Sequence, residues 1–209
     1  MTEPFVRVHP VDEGTSMVRL VALSDGIYAI AMTLLVIDVA VPAGLDDSAF
    51  HQALGNALPN LGAFALSFAL TAGFWRDHRR ILAGLTTGTV AVTRVTLLGL
   101  GLVALLPFPT ALLAEYASQP DAVAVYAAAM AAIHTVHVIL LLLTQHQVHQ
   151  TASSPGARER RRFGAQLAVS VTIFVLSIPL AFVSTAAAMW FWVALIPAHH
   201  LLRRRRSAP

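Results

Sequence analysis

The sequence predicts an all-α integral membrane protein with six spanning helices. Three observations carry that reading. Hydrophobic residues make up 56% of the 209-residue chain and charged residues only 12%, against about 25% charged in water-soluble domains. Mean hydropathy is +0.68. The apolar residues gather into six stretches of near-spanning length, about 20 residues each, and arginine clusters alternate with acidic loops between them. There is no cysteine, so no disulfide is possible and the redox compartment stays open.

The first stretch, 18–41, contains "RLVALSDGIYAIAMTLLVIDVAVP". It lies inside the chain and carries acids, unlike a cleaved signal peptide. A second span is predicted at 52–75, after the turn-rich loop "PAGLDDSAFH". The third, 88–114, contains "LLPFPTALL", where Pro107 and Pro109 remove amide donors and must break or kink the helix. A fourth is expected at 122–146. "QHQVHQTASSPGARERRR" then forms the longest polar connection. The last two spans, 163–183 and 185–202, meet at a tight turn near Ser184 and should form an antiparallel hairpin.

All 14 basic residues are arginine. They cluster at Arg7 and Arg19, at Arg76 to Arg94, at Arg158 to Arg162 and at Arg203 to Arg206, while the other loops hold Asp46, Asp47, Glu115 and Asp121. Six spans put every basic cluster on one side, and the positive-inside rule makes that side cytoplasmic, with both termini. The expected organisation is a cytoplasmic segment 1–17, a membrane domain 18–202 and a basic tail 203–209. A pI near 10.2 therefore reflects topology and not nucleic-acid binding. No inverted repeat is evident, and six slim helices leave little room for a solvated pathway within one copy. A pore would have to form between subunits.

An acid inside hydrocarbon costs roughly 2.5–3.5 kcal/mol and usually marks function. On a helical wheel Leu23, Ile27, Ile30, Leu34, Ile37 and Val41 form one stripe bordered by Thr33, and Asp25 points roughly 140° from Ile30. Composition alone reads that stripe as lipid or packing contact. Asp25 needs donors from its own bundle or a neighbour. Ser67, Phe68, Trp75, Asp77 and His78 crowd the inner end of the second span, where Trp75 could be an interfacial aromatic and His78 could donate to Asp25. His134 and His137, like His146 and His149, are spaced i,i+3. Zinc sites use that spacing but recruit further ligands, and no acid lies near His134, so packed or interfacial histidines are expected and no metal. No nucleophile elbow, phosphate loop or facing carboxylate pair supports an enzyme.

The stretch 19–42 resembles the signature first helix of the transmembrane-protein-175 family of potassium channels, R-x-x-x-F-S-D-G-x-x-A-I-x-x-T-L-L. "LPNLGAFALSFALTAGFWRDHRR" and "LLPFPTALLAEY" are similar to its second and third helices. Leu23 stands where the family usually has Phe, and Arg79 replaces a frequent second His. The resemblance implies a homotetramer in a bacterial plasma membrane, with the first helix of each subunit lining a central pore for K⁺ and no cofactor. No TVGYG filter is present in the sequence. By position Ile30, Leu34 and Ile37 become hydrophobic constrictions, and Thr33 becomes a hydroxyl ring. Arg19, Ser24, Asp25, Trp75 and His78 become the polar network behind the helix. The alternatives are a small proton-coupled transporter relaying through Asp25 and His78, or a membrane subunit with no pathway.

Overall fold

The computed structural model describes residues 13–37, 39–83, 85, 87–148 and 157–192, and all regular structure among them is helical. Six helices follow in order: α1 (Glu13–Leu34), α2 (Asp47–Leu82), α3 (Val90–Ala104), α4 (Pro107–Glu115), α5 (Pro120–Val148) and α6 (Ala157–Val183). Residues 185–192 are again helical. Among the described residues five segments are long and apolar enough to cross a membrane, with α3 and α4 together forming one of them. Most of the sixth expected span, the segment 1–12 and the tail 203–209 lie outside the described residues.

α1 is shorter than its apolar stretch. It stops at Leu34, and the amide of Ile37 turns back onto the Leu34 carbonyl at 3.1 Å in a tighter i→i−3 bond. Gly44 supplies the left-handed conformation of the following loop at φ 77°. The Asp46 carboxylate then caps α2, accepting the Ala49 amide at 2.8 Å and the Ser48 hydroxyl at 2.9 Å. These two donors hold the exposed Asp46 carboxyl below the usual carboxylate range.

α2 runs 36 residues, roughly 54 Å at the α-helical rise, well beyond a bilayer core of about 30 Å. The sequence places its end near Trp75, but no glycine or proline follows until Gly84, and Arg79 and Arg80 in the last turn suit the negative end of the helix dipole. The Trp75–Arg80 segment is consequently helical.

The third span breaks where its prolines predict. After Ala104 the chain makes a turn through Leu105 and Leu106, and α4 restarts with Pro107 in its first turn, where a missing amide costs nothing. α5 is the most enclosed helix and packs against α6, α3, α4 and α2. It approaches α3 tightly at Gly99, where a Cβ would stand 2.9 Å from Val136 Cγ1. At Ser184 the chain reverses direction. The Ser184 hydroxyl accepts the Ala187 amide at 3.2 Å, and Trp192 donates its indole N–H to Ser177 on α6 at 2.8 Å, so residues 185–192 fold back onto α6.

Two clusters make the core. One gathers Tyr28, Phe74, Leu100, Leu106, Tyr126, Met130, Phe174 and Trp192 among others. The second gathers Met17, Leu20, Ile81, Val92, Leu140, Phe163 and Leu167 near the arginine-bearing ends of α2 and α6.

Candidate ion pathway

The placement of α1 decides what each of its faces can do. Ser24, Tyr28, Ala31 and Leu35, spaced i, i+4, i+7, i+11, are all buried against the bundle. Ile30 lies on the other side of the helix and is 60% exposed, with Leu23, Leu34 and Ile37 also exposed. The aliphatic stripe thus faces away from its own subunit except at Ile27, which is half-buried against the core.

Side-chain bonds to α2 fix this rotation. Ser24 gives its single hydroxyl hydrogen to the Leu20 carbonyl at 2.8 Å. The 3.1 Å contact between Ser24 Oγ and His78 Nε2 therefore has the imidazole N–H as donor. Asp25 is held by two other groups: Trp75 donates its indole N–H to Oδ1 at 2.8 Å, and Arg79 pairs with Oδ2 at 3.3 Å. The Arg79 guanidinium also lies over the Trp75 ring at 5.4 Å. Lying on the same side of the membrane, His78 could donate to Asp25; in the structure His78 reaches the neighbouring Ser24, and both carboxylate oxygens belong to Trp75 and Arg79. Arg79, which stands where a second His is frequent, supplies the second donor itself.

A second polar layer was missed from sequence. Tyr28 Oη is 3.3 Å from His137 Nε2. His134 donates from Nδ1 to the Met130 carbonyl at 3.0 Å. Phe74 lies edge-on to His134 at 4.6 Å between ring centroids and stacks on His137 at 5.8 Å. Both histidines are packed, and no group of three potential metal ligands occurs among the described residues. Tyr28 lies one turn beyond Ser24 on the same face, a signal that could have found it. Nothing in the sequence pairs it with a residue 109 positions away. The His146 side chain and all of His149 lie outside the described residues.

Ser67 is not part of the Asp25 network. It sits at mid-helix, accepting the Thr110 hydroxyl at 3.0 Å and meeting Tyr126 Oη at 3.0 Å, which ties α2 to α4 and α5. Phe68 is exposed. Arg19 lies six positions before Asp25, exposed, on the rim of a cavity with Met17, Leu20 and Thr93. It makes no ion pair among the described residues. Thr33 donates its hydroxyl to the Ile30 carbonyl at 2.8 Å and is exposed beside the stripe. Ile37 lies past the end of α1, so the three aliphatic positions do not share one continuous helix.

A bundle of apolar helices, with its first helix pinned by polar bonds on one edge and bare and aliphatic on the other, is a multi-span membrane protein of the α-helical class. Residues 19–107 match the family described as endosomal/lysosomal potassium channel TMEM175. A potassium channel of Streptomyces collinus is 34% identical over 173 residues, which is 79% of this chain and 82% of that protein. The crystal structure of a lysosomal potassium-selective channel TMEM175 homologue from Chamaesiphon minutus superposes with a TM-score of 0.78 at 29% identity, covering 92% of this chain and 100% of that one. The endosomal/lysosomal proton channel TMEM175 of Bos taurus is 28% identical over 210 residues, and the chain spans 44% of its length. The chain belongs to the TMEM175 family.

Proposed function

We propose that this protein is a passive, potassium-permeable channel whose pathway lies between copies of α1 in a homotetramer. The observation that carries this reading is the outward-facing stripe of α1: Ile30 is 60% exposed while the opposite edge is tied to α2 through Ser24 and Asp25. Four such stripes around an axis make a narrow aliphatic constriction that conducts or dewets with its diameter. Thr33 adds an oxygen to the wall. Its hydrogen is spent on the Ile30 carbonyl, which leaves lone pairs for a dehydrating cation. Arg19, Ser24, Asp25, Trp75 and His78 form the supporting set, with Ser24, Asp25, Trp75 and His78 fixing rotation and Arg19 standing at the mouth. The names of the bacterial relatives favour K⁺ as the permeant ion. The bacterial relatives favour a bacterial plasma membrane, and the alternation of arginine with acidic loops favours cytoplasmic termini. A proton relay from Asp25 to His78 has less support, since Asp25 bonds Trp75 and Arg79 while His78 bonds Ser24.

The test is reconstituted recording with mixed K⁺ and Na⁺. Ile30→Asn should widen and wet the ring, raising conductance and moving the reversal potential toward non-selectivity; Thr33→Ala should weaken discrimination with a smaller change in conductance. Unchanged current and reversal potential for Ile30→Asn, in an oligomer of normal mass, would return the stripe to lipid.

A further inference from the structure

A cavity of about 240 Å³ opens between the arginine-bearing end of α2 and the adjoining parts of α5 and α6. Its lining is divided. Arg80, Arg160, Glu159 and Thr144 supply the polar wall, and Ile81, Leu141 and Phe163 supply a buried apolar floor. Arg80 is pre-oriented: Glu159 holds its guanidinium at 2.6 Å, and the Phe163 ring lies under it at 4.5 Å. Arg160 is half-buried on the same wall and has no ion-pair partner among the described residues. Two cations against one carboxylate leave the wall net positive.

We infer that this cavity seats the headgroup of an anionic phospholipid from the adjacent leaflet. The phosphate lies against Arg160 and the outer edge of Arg80, and the glycerol and first methylenes lie on Phe163, Leu141 and Ile81. Basic pockets between spanning helices at headgroup depth suit such lipids. A free phosphate would make no use of the apolar floor, and a zwitterionic headgroup brings its own cation against two arginines. Bound lipid would bridge α2 to α6 next to the turn that carries Trp75, His78 and Arg79. The inference is independent of ion permeation, because its test reads lipid retention and not current.

Native mass spectrometry of the purified oligomer, released from mixed micelles with dioleoyl phosphatidylglycerol or dioleoyl phosphatidylcholine, tests it. Phosphatidylglycerol should be retained in preference. Arg160→Gln should weaken that retention about fivefold, the effect of roughly 1 kcal/mol for one basic residue near the surface. Arg158→Gln, the same charge change roughly 200° around α6, should leave retention unchanged. Glu159→Gln keeps an acceptor for Arg80 and removes the only carboxylate of the wall, so it should raise retention. The oligomer mass in each spectrum reports whether the variant has assembled, and Glu159→Gln carries the test if Arg160→Gln does not. Equal retention of the two lipids would overturn the inference. So would equal loss in the Arg158 and Arg160 variants, or displacement of the lipid by millimolar inorganic phosphate.

Discussion

Ser24→Ala isolates one bond that sets the rotation of α1. Ser24 is 1% and His78 4% exposed, and the hydroxyl both donates to Leu20 and accepts from His78 Nε2 at 3.1 Å. The Leu20 carbonyl loses little, because it can keep its helical partner. The His78 N–H loses its acceptor, and an unsatisfied buried donor costs about 1–3 kcal/mol. The cavity of about 360 Å³ lined by Ser24, Asp25 and His78 lets water take up part of the loss, which points to the lower end, about 1 kcal/mol. That is still above the average of about 0.6 kcal/mol for a side-chain hydrogen bond between membrane helices. The assay is equilibrium unfolding in mixed SDS micelles at fixed protein concentration, followed by helical circular dichroism, as a double-mutant cycle with His78→Leu. In the His78→Leu background Ser24→Ala should cost only a few tenths of a kcal/mol, leaving a coupling of about 1 kcal/mol. An equal cost in both backgrounds would refute the bond as the constraint on α1.

Two further outcomes follow from packing and capping. Gly99→Ala should destabilise by about 1–3 kcal/mol through overpacking against Val136, whereas Gly101→Ala, with nothing within 4 Å of its Cβ, should be neutral or stabilising by up to about 1 kcal/mol; the same unfolding titration compares them. Because the folded carboxyl of Asp46 lies below its ordinary value, its contribution is complete above the unfolded pKa, near 3.9, and is lost as pH falls through the depressed folded value. Asp46→Asn keeps a capping oxygen and should remove that part of the acid dependence, read as the change in unfolding midpoint between pH 6 and pH 3.

Much of the fold was legible along the chain because its cause is local. Apolar runs of spanning length have no other stable environment than a bilayer or a bundle core, so the helices were readable one by one. Pro107 announced the break between α3 and α4 because a missing amide acts within its own turn. Helix ends were less legible. α1 stops at Leu34 although the apolar run continues to Val41, and α2 continues to Leu82 although the apolar run stops near Trp75. Hydropathy records affinity for lipid and not where backbone hydrogen bonding ends.

The aliphatic stripe from Leu23 to Leu34 and the opposed polar edge of α1 were determined by the sequence itself, since 100° per residue places them whatever surrounds the helix. That Asp25 needed donors followed equally from the cost of an unpaired acid. Which donors it takes was decided only by the tertiary structure. The Asp25–Trp75 and Ser24–His78 bonds join residues 50 and 54 positions apart, and the approach and rotation of α1 on α2 select among Trp75, His78 and Arg79, all within one turn of the same helix. The Tyr28–His137 contact and the Ser67, Thr110 and Tyr126 group have the same origin. Helical periodicity assigns a side chain its direction, but a hydrogen bond also needs a partner within about 3 Å, and only the packing of one helix on another supplies that distance.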